Sequence, residues 1–116
     1  MITSEQVPSL LQHEIPTLAN KEYPSKTYLK IYAAINYFSD YTILVVEKKD
    51  KPMIDKCLVL AEKLYKEGDA IVKLLIKNSF VYHLVKNILS GQNQPHEKDL
   101  SASHFFLFFK ELKGEL

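Results

Sequence analysis

Arginine and tryptophan are absent from this 116-residue chain, cysteine occurs once and glycine three times. Each shortage excludes something. Arginine's planar fork is the side chain best suited to phosphate, guanine and carboxylate. Fifteen basic residues that are all lysine therefore argue against a dedicated nucleic-acid reader. The charge is also spread evenly. The formal net is +1, and the one lysine cluster, Lys48, Lys49 and Lys51, is interrupted by acidic Glu47 and Asp50. No stretch has the basic footprint that a phosphate backbone requires. With Cys57 alone no internal disulfide forms, which suits a reducing compartment. With so few glycines there is no Gly-rich phosphate loop and no dinucleotide fingerprint. Hairpin turn signals such as Asn-Gly are missing, which counts against strands. The longest apolar run, residues 31–46, contains Asn36 and Asp40 and is too short and too polar to cross a bilayer. Residues 1–6 lack the basic and apolar regions of a signal peptide. The expectation is a cytoplasmic protein with neither a membrane nor a nucleic-acid partner.

What is present is ordinary for a globular chain: 47% apolar and 25% charged residues. A chain of this length buries enough surface to fold without a metal or a disulfide. Residues 1–116 read as one domain.

The periodicity is helical throughout. Thr3 and Gln6 form a capping box ahead of Val7, Leu10, Leu11, Ile15 and Leu18, and Pro16 weakens the end of that helix. Residues 20–24 read as a loop. Ser25 is the candidate cap of a long helix over about residues 26–49. Tyr28, Ile31, Ile35, Phe38, Thr42, Val45 and Val46 form its wide apolar face, as suits a central helix packed on several sides. Pro52 is placed at the first position of a third helix, whose inner face is Met53, Cys57, Leu60, Ala61 and Leu64. Gly68 is read as its C′ residue, and Asp69 caps the next helix at once. That junction predicts a tight antiparallel hairpin. The fourth helix, over about residues 70–89, is expected to bury Ile71, Leu74, Leu75, Val81, Leu84, Val85 and Ile88. A short last helix begins near Ser101. The expected fold is all-α, a single domain of about five helices built around a central long helix and an antiparallel helical hairpin.

Chemistry-bearing residues are sparse. His13, His83, His96 and His104 make no i,i+4 pair, and the cluster of His96, Glu97 and Asp99 sits in a polar loop. No metal is expected. Cys57 lies on an apolar stripe, where a free cysteine behaves as a small hydrophobe. Asp40 and Glu47 share one face of the long helix, with Asn36 on the same side, but no motif makes them an acid–base pair. No catalytic residue and no cofactor is expected. Asn78 projects near the middle of the expected inner face of the fourth helix, where a buried amide must find partners. With Asn36, Asp40, Tyr82 and His83 it makes a candidate pocket between the long helix and the hairpin. Five tyrosines crowd residues 23–41. Tyr28/Tyr32 and Tyr37/Tyr41 are i,i+4 pairs on different sides of the helix, one pair expected inside and the other half-exposed. In the last helix Phe105, Phe108, Phe109 and Leu112 share a face, while Phe106 and Leu107 point elsewhere. Phe105, Phe106, Leu107 and Phe109 are the candidate interaction surface, for another protein or for self-association.

The opening Met1-Ile2-Thr3-Ser4-Glu5, then Leu10, Leu11 and Glu14-Ile15-Pro16, carry a resemblance. So do Ala61-Glu62-Lys63-Leu64-Tyr65, Gly68-Asp69, Val72, Asn78-Ser79-Phe80 and Leu84. The chain resembles a family of small all-helical bacterial proteins known as a domain of unknown function. The Phe-rich end departs from the Leu- and Lys-rich end expected of that family. The resemblance implies neither catalytic residues nor a cofactor, and by analogy it suggests an immunity-type or adaptor protein. The functional expectation is a non-enzymatic protein–protein interaction module. A small-ligand-binding domain or minor enzyme with a pocket near Asn78 is the alternative, and a structural homo-oligomer is a third.

Overall fold

The computed structural model describes residues 1–84. These residues are helical and form no β-strand. Helix α1 spans Val7–Glu14, α2 spans Thr27–Glu47, α3 spans Lys51–Glu67 and α4 spans Ala70–Leu75. A π-helical segment, Ile76–Val81, continues α4 into the final turn α5, Tyr82–Leu84. Short 3-10 turns, Ser4–Gln6 and Pro16–Asn20, flank α1. The helical expectation therefore holds, while the expected last helix near Ser101 lies outside the described residues.

The first turn follows from its cap. The Thr3 amide donates to Gln6 Oε1 at 2.9 Å and the Gln6 amide donates to the Thr3 carbonyl at 3.0 Å, so the box closes on a 3-10 turn before α1 begins. Proline disfavours the helical region for the residue before it. Ile15, ahead of Pro16, has φ −128° and ψ 87°, and α1 stops there. Val7, Leu11, Ile15 and Leu18 are buried as their spacing predicts.

Helix α2 is central and packs against α1, α3, the π segment and α5. Its inner face is Ile31, Ala34, Ile35, Phe38, Ser39, Thr42, Val45 and Val46. The two buried hydroxyls are satisfied within the helix. Ser39 Oγ donates to the Asn36 carbonyl at 3.1 Å, and Thr42 Oγ1 donates to the Phe38 carbonyl at 2.8 Å. Two expectations need correction. Ser25 is not the cap: Lys26 occupies that position and gives no side-chain hydrogen bond. Tyr28 does not join the inner face, because it stands in the first turn of α2 and is 66% exposed.

The turn from α2 to α3 is closed by the Lys49 amide on the Val46 carbonyl at 3.0 Å and the Asp50 amide on the Val45 carbonyl at 3.1 Å. This pair of bonds is the Schellman pattern, which puts the residue after the cap in the left-handed region. That residue is Lys49, with φ 57°. A side chain is costly there and glycine is not. Lys49→Gly is expected to stabilise the protein by about 0.5–1 kcal/mol, read as a raised urea midpoint with an unchanged slope. Asp50 then caps α3 by accepting from the Met53 amide at 3.4 Å. Lys51 opens the helix, so Pro52 sits second and not first. Ile54, Cys57, Leu58, Leu60, Ala61 and Leu64 are its buried face, and Met53 is half-buried.

Helices α3 and α4 meet at Gly68-Asp69, where the chain's beginning also returns. The Ile2 amide donates to the Glu67 carbonyl at 2.7 Å, and the Asp69 amide donates to the Ile2 carbonyl at 2.8 Å. Together they make an isolated parallel bridge between Ile2 and Gly68. Gly68 is the cap residue of α3 with φ −75° and ψ 161°, an extended conformation open to any residue. It is not the left-handed C′ glycine that its position suggests. Its glycine requirement is space: an added Cβ would meet the Leu64 carbonyl oxygen and the Val72 side chain.

Asp69 serves two elements at once. Its Oδ1 accepts from the Val72 amide at 2.9 Å, capping α4, and its Oδ2 accepts from the Ser4 amide at 2.8 Å. These backbone donors, Val72 first and Ser4 second, hold its carboxyl below the usual carboxylate range. The sign of the pH effect follows. A folded-state pKa below the unfolded value, about 3.9, gives stabilisation that is complete above that value. It is lost as pH falls through the folded-state pKa. Asp69→Asn keeps an acceptor for Val72 but offers Ser4 an amide nitrogen, which cannot accept. The variant is expected to be less stable than wild type at pH 7, and the two stability curves to converge in strong acid. Urea midpoints measured across pH 2–7 check this, and parallel curves would contradict it.

The fourth helix buries only part of the face its sequence suggests: Val81 and Leu84 are inside as expected, and Val85 and Ile88 lie outside the described residues. Val72, Ile76, Ser79, Phe80, Val81 and Leu84 are inside. Ile71 and Leu74, expected in the core, are exposed, and Leu75 is half-buried. The helix is apolar on two sides, and a single 100° period averages them. The π segment adds to the error. Its wider turn brings residues five apart, Ile76 and Val81, to the same side. Asn78, four residues after Leu74 on the side left outside, is exposed and not on the inner face.

Candidate functional site

The rotation of the fourth helix leaves apolar side chains outside, and they meet those at the start of α2. Tyr28, Leu29, Ile31 and Tyr32 from α2, with Ile71 and Leu75 from α4, line an open groove of about 370 Å³. Tyr28/Tyr32 and Ile71/Leu75 are both i,i+4 pairs, which stack along one face of a helix. Each wall is therefore a straight stripe. Leu74 stands beside the groove and is 57% exposed, and Ile71 is 54% exposed. Among the described residues no charged side chain lines it. Such a surface takes another apolar surface. Its two stripes suit the apolar face of a helix laid between them.

A second, smaller cleft of about 210 Å³ lies on the other side of α2, lined by Thr17, Leu18, Lys21, Tyr37, Asp40, Tyr41 and Leu44. One of its tyrosines, Tyr37, is tied into the fold. The Tyr37 hydroxyl donates to the Glu22 carbonyl at 2.6 Å. The Tyr23 hydroxyl donates to the Leu18 carbonyl at 2.7 Å. The two rings meet edge to face, 5.3 Å apart at 88°. Lys21 Nζ lies 5.9 Å from the centre of the Tyr37 ring. Together they staple the connection after Asn20 onto α2. Burial pushes the phenols of Tyr23 and Tyr41 above their ordinary range.

The five residues of the expected pocket are not brought together in either cleft. Asp40 is exposed and lines the tyrosine cleft. Asn36 is half-buried, and its Oδ1 is buried without a hydrogen-bond partner. Asn78 and Tyr82 are exposed. His83 is half-buried, with its ring 6.0 Å from that of Tyr82. Of the tyrosine pairs, Tyr37/Tyr41 packs against the core and Tyr28/Tyr32 stays out. Phe105, Phe106, Leu107 and Phe109 lie outside the described residues. Sequence reasoning did not assemble the groove. The signal available was an excess of apolar residues, with Ile71, Leu74 and Leu75 beside a complete stripe at Val72, Ile76, Phe80 and Leu84.

Cys57 is fully buried, and burial pushes its thiol up to about 11. A thiol held protonated is a poor nucleophile. Among the described residues no three His, Cys, Asp or Glu side chains cluster as a metal site would require. No described helix is long and apolar enough to cross a membrane.

Residues 8–111 match the model of a family described as a domain of unknown function, DUF7674. The match begins in α1 and runs past the described residues through the Phe-rich segment. No curated protein and no solved structure matches the chain.

Proposed function

We propose that this chain, which belongs to the DUF7674 family, acts by binding another protein and not by catalysis. The observation that carries this reading is the groove between α2 and α4. It is aromatic, apolar and exposed on a small protein, and it is walled by two helical stripes. Tyrosines with one apolar face and one polar end are favoured where such surfaces meet a partner. The partner chemistry that fits is an amphipathic helix presenting apolar residues at i, i+4 spacing. An immunity-type inhibitor is the concrete version: it binds one-to-one and blocks its partner's activity.

The test is a stoichiometric pull-down from the native host with wild type and with Tyr32→Glu/Leu74→Glu. Both positions are exposed, so the variant keeps its fold. Wild type is expected to retain one dominant chain at near-equal amounts. The variant should lose at least about tenfold in retention, because a charge placed in an apolar contact removes more than one such contact's binding energy. Equal retention by both proteins rules the groove out as the binding surface.

The tyrosine cleft favours a second reading, a small-ligand site, with Asp40 and Lys21 as its polar groups. A bound metabolite would raise the melting temperature in proportion to its occupancy. A screen that gives no shift removes this reading.

A further inference from the structure

We infer that the tyrosine cleft binds a free α-amino acid with a short aliphatic side chain, its carboxylate on Lys21 and its ammonium on Asp40. The inference rests on the reading of this cleft as a small-ligand site and names the chemical class of the ligand. It does not depend on the groove between α2 and α4. Charge is the first observation. Lys21 and Asp40 are the two charged residues that line the cleft. Lys21 comes from the connection after Asn20 and Asp40 from α2, so opposite charges stand on opposite walls. Both are exposed, and they make no ion pair with each other. A ligand with one charge satisfies one wall and meets a like charge on the other. A molecule with a carboxylate and an ammonium on one carbon satisfies both.

The second observation is that both charges are placed from one fixed ring. The Tyr37 hydroxyl is held by the Glu22 carbonyl at 2.6 Å, which ties down the connection that carries Lys21. Lys21 Nζ lies 5.9 Å from the centre of the Tyr37 ring, a cation–π contact that keeps the ammonium beside the cleft. Asp40 follows Tyr37 by three residues on α2, about 4.5 Å along the helix axis. A site set in advance loses less on binding. Size is the third observation. The cleft holds about 210 Å³. A cavity of about 150 Å³ takes benzene, so this one takes roughly eight or nine non-hydrogen atoms, the size of free valine or leucine. Leu18, Leu44 and the Tyr37 ring supply the apolar contact for such a side chain. A dipeptide is too large, and its opposite charges stand about 3.5 Å further apart.

Amide NMR titration of the 116-residue protein with free L-leucine and L-valine tests the inference. Two leucine analogues that each lack one charge are titrated beside them: 4-methylpentanoate, without the ammonium, and 3-methylbutylamine, without the carboxylate. A ligand this small binds in roughly the millimolar range, and the titrations run through it. Leucine or valine is expected to shift the amides of residues 17–21 and 37–44. Each one-charge analogue should bind at least about threefold more weakly than leucine, the scale of an exposed ion pair. Two variants then assign the charges. In Asp40→Asn leucine should lose its advantage over 4-methylpentanoate, and in Lys21→Met its advantage over 3-methylbutylamine. Both positions are exposed, so the variants keep the fold. An advantage that survives both variants overturns the inference. A one-charge analogue that binds the wild-type cleft as tightly as leucine overturns it too, but leaves the small-ligand reading standing. No shift at these amides with either amino acid overturns it whatever the metabolite screen returns. The small-ligand reading falls only if that screen is silent as well.

Discussion

Phe80→Ala is expected to cost about 3–5 kcal/mol, the usual range for emptying a buried phenylalanine site. The protein should keep little of a stability that lies within about 5–15 kcal/mol for domains of this size. Phe80 is fully buried, as is Phe38 of α2. Their rings stack, with centroids 4.7 Å apart and planes 23° apart. This is where the π segment locks onto the central helix. The rings have neighbours on all sides, so a truncated side chain leaves a cavity that helices on either side cannot both close. Phe38→Ala should cost a similar amount. The double variant should cost less than the sum by about 0.5–1.5 kcal/mol, the part that belongs to the ring pair itself. Urea titration followed by circular dichroism gives all three values. Phe80→Leu, which keeps most of the volume, is expected to lose less than about 1.5 kcal/mol. A small loss for Phe80→Ala would place the ring outside the cooperative core.

Gly68→Ala is expected to cost up to about 3 kcal/mol, the upper end for overpacking one methyl group. Backbone strain plays no part, because the φ and ψ at Gly68 suit alanine. The cost is steric and falls on groups that do not give way. One is the Leu64 carbonyl, fixed by accepting the Gly68 amide at 2.9 Å. Another is Val72, whose Cβ lies 2.6 Å from the position of the added methyl and whose branched side chain holds one rotamer in a helix. Relief would have to come from parting α3 and α4, which also strains the bridge to Ile2. The physical claim has a sharp check. In a Val72→Ala background the same substitution should cost less, since one clashing methyl is gone. It should still cost something, since the Val72 Cβ and the Leu64 oxygen remain. A Gly68→Ala protein with wild-type stability would contradict the close approach.

The groove shows how far one-dimensional reasoning reaches toward a binding surface. The aromatic crowding of residues 23–41 and the apolar surplus of the fourth helix are both legible in the chain. The first led to the expectation that one tyrosine pair packs inside and the other stays half-exposed, without saying which. Tyr28/Tyr32 stays outside, on the side of α2 that lines the groove with Ile71 and Leu75. Tyr37/Tyr41 is drawn inward because Tyr37 finds the Glu22 carbonyl and the edge of the Tyr23 ring. Those partners depend on where the connection after Asn20 runs, and no spacing rule contains that path. The expected pocket at Asn78 failed for a related reason. Its placement assumed that the side carrying Ile71 and Leu74 faces the core, and that is the side left outside.

By itself the sequence determined the helical class, the central position of α2 and the caps at Thr3 and Asp69. It also determined the buried stripe of α1 and, through Cys57, Leu60, Ala61 and Leu64, much of that of α3, though not Ile54 and Leu58. These are local or periodic properties. A proline restricts its neighbour, a carboxylate satisfies amides two or three residues ahead, and apolar residues at helical spacing seek one common side. Only the tertiary structure decided which of two apolar faces the fourth helix buries, and that Gly68 is needed for space and not for conformation. It alone showed that Asp69 also holds the chain's beginning, through Ser4. Each of these depends on what stands opposite, from residues up to 65 positions away in the chain. A helix with two apolar faces buries the one that fits its neighbours. The face left over made the groove.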